Sequence, residues 1–342
     1  MNCAPTSETI MQTLTALLFL YLCLPSLSLA QDAKLVAEAK KEGKVVVYGS
    51  METDIFEGIQ QAFEKKTGIK MEYFRASATK AMERALTELR AGKATFDVMV
   101  NNSGAIEIMR KENIFAKYVS PSASGFPKDE IDPQLGPAYR HTPIGIIYNK
   151  SAISAADAPK SLHDLLNPKY RGKVVMPDPT QHTTTIQWLA SLYKIMGKEK
   201  ADKFIRDLGA TKPILAESFA PSAERVSTGE TPIAISLVRY VVTFAETGAP
   251  VDYVRMSKML STGQYLALNH KAPRPSAGKA FIDFFLTAES MKLLAKAGEF
   301  VTMKGIPQLL PDADKIQPVE MDDLDTKGYA NKREEFRKAF FK

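Results

Sequence analysis

The residues best able to do chemistry lie where short apolar runs end. Asp178, Thr180, His182, Thr183, Thr184 and Thr185 stand between the apolar run Lys173-Val174-Val175-Met176 and a periodic segment, Ile186, Leu189, Ala190 and Tyr193. Pro177 and Pro179 stop the first segment, because proline removes a ladder donor and fixes φ. The spacing of the second predicts a helix opening beside the hydroxyl residues. Such a junction brings free backbone N–H groups, side-chain hydroxyls and the positive end of a helix dipole to one place. That suits an anion or the oxygens of a solute. The alternative is that the threonines only cap the helix.

Three further clusters share this position. Ser50 and Met51 follow the strand-like run Lys44 to Tyr48, and Asn102 and Ser103 follow Phe96 to Val100. Arg239 and Tyr240 follow the run Thr231 to Val238, and Ser222 follows a short run at Ile214-Leu215. Arginine offers a planar fork of donors for a carboxylate or phosphate. The alternative for Arg239 and Tyr240 is packing between lobes or at the surface.

Other signatures fail on spacing. Ser77-x-x-Lys80 and Lys66-Thr67-Gly68 match two motifs of penicillin-interacting serine enzymes, but in reversed order, and Gly68 reads as a helix C-cap. No nucleophile elbow, Walker loop or His-Glu-x-x-His is present. His141, His163, His182 and His270 are dispersed, which argues against a histidine zinc site. The run Asp322-Asp323-Leu324-Asp325 lacks calcium-loop spacing and reads as a solvated turn.

Composition sets the class. Among 342 residues, 45% are hydrophobic and 25% charged, as in an ordinary globular protein, and the net charge is +6 without a basic stripe. Nucleic acid is therefore not an expected partner. The apolar segment Leu14 to Leu29, closed by Ser28-Leu29-Ala30, reads as a signal peptide over residues 1–30, too short in its uninterrupted part to span a bilayer. Its leader carries Glu8 and no Lys or Arg before the apolar run, so Met11 is an alternative start. Both cysteines, Cys3 and Cys23, fall inside it, so the processed chain is expected to hold no disulfide and no thiolate metal site.

The elements that position these residues alternate. Apolar runs at Lys44–Tyr48 and Phe96–Val100 predict strands buried on both faces, Ile69–Phe74 predicts a further strand between them, and each is followed by an amphipathic helix. This is a βαβαβα order, an α/β fold with a parallel sheet and ligands off the strand C-termini. The segment Ile144–Asn149 predicts another strand, entering a second lobe near His141. Ser161–Pro168 predicts a short helix, as do Lys198–Leu208, Ala277–Leu286, Ser290–Ala297 and Lys332–Lys342.

With these residues assembled, the chain resembles the periplasmic solute-binding proteins of ABC importers, in the ferric-ion-binding protein-like family. The carrying segments are Lys44 to Ser50, Phe96 to Ser103, Pro159-x-Ser161-x-x-Asp164-Leu165-Leu166-x-Pro168, Met176-Pro177-Asp178-Pro179, Gly229-Glu230 and Pro273-x-Pro275 through Ile282. The resemblance implies a two-lobed type II periplasmic binding protein fold, each lobe a mostly parallel sheet flanked by helices. Lobe 1 would take 31–140 with 258–308, and lobe 2 would take 141–257 with 309–342. It implies a monomeric, non-enzymatic periplasmic receptor that closes like a hinge on a small-molecule solute and hands it to an inner-membrane permease. Ferric members bind iron through paired tyrosines, which fall here on Arg239 and Tyr240, leaving Tyr240 as the one phenol available to a metal. The arginine favours a phosphonate, phosphate ester or carboxylate, held by Arg239, the Thr180 to Thr185 helix start and strand-end hydroxyls. No cofactor is expected, with Fe3+ an alternative as transported ligand. A ferric or ferric-complex receptor is the second reading, and a cleft hydrolase or lyase a distant third.

Overall fold

The structure is a computed structural model that describes residues 24–341, with side chains from residue 33. The predicted signal segment lies outside the described residues as far as residue 23, and from Leu24 the backbone is helical. Helix α1 (Leu24–Glu42) ends at Gly43, whose φ is 81°. A positive φ is cheap only for glycine.

Three α/β units follow. They are β1 (Lys44–Gly49), α2 (Thr53–Thr67), β2 (Lys70–Arg75), α3 (Ala78–Arg90), β3 (Val98–Asn102) and α4 (Ser103–Lys111). A small hairpin, β4 (Ile131–Asp132) with β5 (Gly136–Pro137), precedes β6 (Arg140–His141) and β7 (Ile144–Asn149). Then come β8 (Val174–Pro177), α5 (Thr183–Ser191), α6 (Tyr193–Met196), α7 (Lys198–Ala210), β9 (Ile214–Ala216) and α8 (Phe219–Ser227). Next are β10 (Ile233–Leu237), α9 (Tyr240–Ala245), β11 (Val251–Tyr253), β12 (Lys258–Ser261) and β13 (Gly263–Leu268). The chain closes with α10 (Pro275–Phe285), α11 (Ala288–Lys296), β14 (Phe300–Val301), β15 (Gln317–Glu320) and α12 (Thr326–Phe340).

Two sheets result. The first has the order β14-β6-β13-β3-β1-β2, the second β11-β7-β10-β8-β9. Within these two sheets the parallel ladders are β2-β1-β3 and β10-β8-β9, while the strands arriving from the other sheet add antiparallel. The physical reason is the route of the chain. It leaves the first sheet after β6, enters the second at β7, and returns through β12 into β13, so a crossing strand enters from the opposite end. Strands β12 and β15 pair with each other outside both sheets.

Burial follows the pattern of the sequence. Every residue of β3, β7 and β8 is buried, as the continuous apolar runs require of strands covered on both faces. In the first lobe Phe56, Phe63, Phe281 and Phe285 pack in one aromatic cluster. Trp188 is the largest side chain fully buried in the second. The Glu42 carboxylate accepts from the backbone N–H groups of Ser276 and Ala277, so the end of α1 caps the start of α10.

Two local expectations shift. Ser161–Pro168 forms only 3-10 turns, at His163–Leu166 and Pro168–Tyr170, because Pro168 offers no donor to continue a helix. The acidic run is irregular and partly exposed, as expected, but its carboxylates are engaged rather than free. Asp322 pairs with Lys194 and Tyr193, Asp323 accepts from Gln187, and Asp325 caps α12 through Gly328 N at 2.7 Å.

Candidate functional site

Four helix starts meet between the two sheets. Their N-cap residues are Ser77 before α3, Asn102 before α4, His182 before α5 and Ser218 before α8, and all four line one cavity of about 70 Å³. Asn102 spans the cleft: Oδ1 accepts from Ala105 N at 2.9 Å, and Nδ2 donates to Thr184 Oγ1 at 2.9 Å. His182 Nδ1 accepts from Thr185 N and from the Thr185 hydroxyl, so the proton of the neutral ring is on Nε2. Burial holds this imidazole down at about 4, against a smaller opposing pull from Glu217. It is therefore a neutral donor. The Ser218 hydroxyl makes no cap bond to its own helix. Convergent N–H groups and dipole ends place positive potential where a solute would sit.

Beside these caps runs a buried charge network. Glu52 follows β1, and Tyr240 and Arg239 follow β10. Tyr240 donates its hydroxyl to Glu52 Oε1 at 2.5 Å, and Arg239 Nη2 pairs with Glu52 Oε2 at 2.5 Å. Arg239 Nε reaches Glu299 Oε1 at 3.1 Å, and the same oxygen pairs with Arg140 Nη1. Burial works against both guanidinium charges, but the carboxylates outweigh it and hold both arginines firmly protonated. Burial would likewise raise the Glu52 carboxyl, but Arg239 and Arg140 bring it below its ordinary value, so it is ionised. Burial, and then the Glu52 charge, push the Tyr240 phenol well above its ordinary range. Two cations and two anions cancel here, so the exposed Arg75 at the cleft leaves the site with a positive balance.

The structure brings together Ser50, Asn102, His182, Thr184 and Tyr240 of the residues nominated from sequence. The others are engaged elsewhere. Met51 is buried in the aromatic core of the first lobe. Ser103 Oγ lies 2.7 Å from Thr262 Oγ1. Asp178 Oδ1 accepts from Thr180 N and Thr180 Oγ1, a local turn that leaves neither side chain facing the cleft. Thr183 Oγ1 accepts from Thr79 Oγ1 at 3.2 Å, and Ser222 Oγ donates to Ser218 O. Arg239 needs correction most. It is 2% exposed and does not line the cavity, because Glu52 and Glu299 take its guanidinium.

Glu52, Arg75, Ser77, Arg140, Thr142 and Gln264 line the cavity without having been nominated. Ser77 carried a signal, since it stands one residue before a strongly periodic helix. Arg140 carried none, because its two-residue strand has no pattern of its own.

A cleft of this construction, between two α/β lobes joined by crossing strands, defines a two-lobed solute-binding protein. The chain belongs to the family of bacterial extracellular solute-binding proteins, whose model matches residues 59–320. It is similar to the Fe(3+)-binding periplasmic protein of Serratia marcescens, 22% identical over 317 residues, covering 83% of this chain and 88% of that one. Its fold is that of the periplasmic binding protein AfuA of Actinobacillus pleuropneumoniae with fructose-6-phosphate bound, TM-score 0.73 at 19% identity, covering 87% and 97% of the two chains. Iron-bound HitA of Pseudomonas aeruginosa gives 0.70 at 19%, covering 87% and 98%. Among the described residues no group of three or more His, Cys, Asp or Glu could hold a metal ion, and no helix is long and apolar enough to cross a membrane.

Proposed function

We propose that this protein is a periplasmic receptor of an ABC importer, that it takes a small anionic solute in the inter-lobe cleft, and that it delivers this solute to an inner-membrane permease. Phosphate esters, phosphonates and small carboxylates are the candidate classes. The observation that carries this reading is the convergence of four helix N-caps on a cleft that buries Arg140 and is bordered by Arg75. Arg140, not Arg239, is the guanidinium in position to meet the solute. Its ion-pair partner Glu299 is shared with Arg239, which leaves donors over.

Direct capture of bare ferric iron is the weaker reading. Among the described residues Tyr240 is the one phenol lining the cleft, and its proton is held by Glu52. Trivalent iron beside Arg140 would also meet like charge.

The test is a native mass spectrum of the protein purified without refolding, followed by calorimetric titration of whatever is retained. An organic adduct bearing phosphate, phosphonate or carboxylate is the expected result. A mass shift equal to iron, or binding of neutral solutes with no binding of anions, would overturn the reading.

A further inference from the structure

Away from the cleft, Gly104 near the start of α4 faces Tyr329 in the first turn of α12. Helix α4 belongs to the lobe of the first sheet, whereas α12 packs on α5 and α7 of the other. A Cβ on Gly104 would overlap the Tyr329 hydroxyl and stand 3.0 Å from Gln187 Oε1. Tyr329 is 4% exposed, and neither its hydroxyl nor Gln187 Oε1 has a hydrogen-bond partner in the structure. Gln187 Nε2, in contrast, donates to Asp323 Oδ1 at 3.2 Å and approaches Ser103 Oγ at 3.5 Å. The cap at Asp325 fixes the start of α12, so the tyrosine ring is aimed at α4 by its own helix.

We propose that Gly104 and Tyr329 set the cost of lobe closure. When the lobes separate, water reaches the phenol and the glutamine carbonyl. When they meet, both groups lose that water and gain no partner, which opposes closure. The missing Cβ of Gly104 is what lets the lobes meet without displacing the tyrosine, since a methyl group there would occupy the place of the hydroxyl. Tyr329 is thus a positioning residue that acts on affinity without touching the solute. It biases the unliganded receptor towards the open state, and the solute has to supply the difference. This inference rests on hinge closure of the two lobes and is independent of which solute is bound.

The closed arrangement can be trapped without any solute. Thr79 and Thr183 face each other across the cleft with their hydroxyls 3.2 Å apart. The full chain carrying Thr79→Cys and Thr183→Cys is exposed to a fixed concentration of oxidised glutathione. Cross-linking is followed by the mass of the linked peptides containing positions 79 and 183. Adding Tyr329→Phe should speed it roughly fivefold or more, because the unpaired hydroxyl is gone. Adding Gly104→Ala should slow it roughly tenfold, and combining both should return it to within about threefold of the parent pair. Melting temperatures measured alongside separate this from a purely structural role, which would lower stability and leave cross-linking rates unchanged. A parent pair that never cross-links removes hinge closure and this inference together. A parent pair that cross-links at a rate neither substitution alters overturns this inference alone, as does a Gly104→Ala rate that Tyr329→Phe fails to restore.

Discussion

Tyr240 donates its hydroxyl to Oε1 of Glu52 at 2.5 Å, joining residues 188 positions apart at the ends of strands in different sheets. The bond closes the cleft on one side and keeps the phenol protonated. Iron binding would require breaking it. Ferric nitrilotriacetate added at neutral pH is therefore expected to give no tyrosinate-to-iron absorption band. A band that appears with the native protein and disappears with Tyr240→Phe would reinstate direct iron capture.

Arg140 is the next residue to test. Arg140→Lys keeps the charge but replaces the planar fork, whose separate nitrogens can meet Glu299 and a solute oxygen at once, with a single ammonium centre. Affinity for the anion retained in the native mass spectrum should fall roughly tenfold or more, as expected when a charge-assisted bond worth about 1.5–3 kcal/mol is lost. Unchanged affinity by calorimetry would place the anion elsewhere.

Arg239→Ala should act mainly on the fold. It would leave Glu299 and Glu52 without the cation they share, and breaking a buried pair in this way costs about 3–5 kcal/mol. Urea unfolding is the appropriate measurement. Lost binding by this variant, without evidence that it is folded, would say nothing about a direct contact. A fully stable Arg239→Ala protein would show that the network is not structural.

His182 predicts a pH dependence with a definite sign. Its folded value of about 4 lies below the ordinary imidazole value, so on the acid side the unfolded chain binds the proton first. Stability from this group is present above about pH 6.5 and is lost as the pH falls towards about 4. Between pH 7 and pH 5 the loss should be about 2 kcal/mol. His182→Gln should flatten that part of a urea-unfolding series, and an equally steep series would contradict the assignment.

The strands were the most legible part of this chain. Val45-Val46-Val47, Val98-Met99-Val100 and Ile144–Tyr148 are continuous apolar runs, and a strand covered on both faces leaves no other pattern. The N-caps were not assigned from sequence: Ser77, Asn102 and Asp325 each accept a backbone N–H at a helix start, a role that the structure reveals. The boundaries of β6 and β14 were not legible. Each is two residues long and exists because a neighbouring strand pairs with it.

By itself, then, the sequence determined the longer strands and helices and which of their ends carry polar groups, because periodicity acts over a few residues. Tertiary structure decided which of those groups face one another. Arg239 and Arg140 have the same side chain, yet Arg239 is enclosed by Glu52 and Glu299 whereas Arg140 borders the cleft. That difference is set by how two sheets, built from distant segments, are rotated against each other. No local rule of spacing contains that arrangement, which is why the guanidinium that lines the cavity could be recognised only from the assembled lobes.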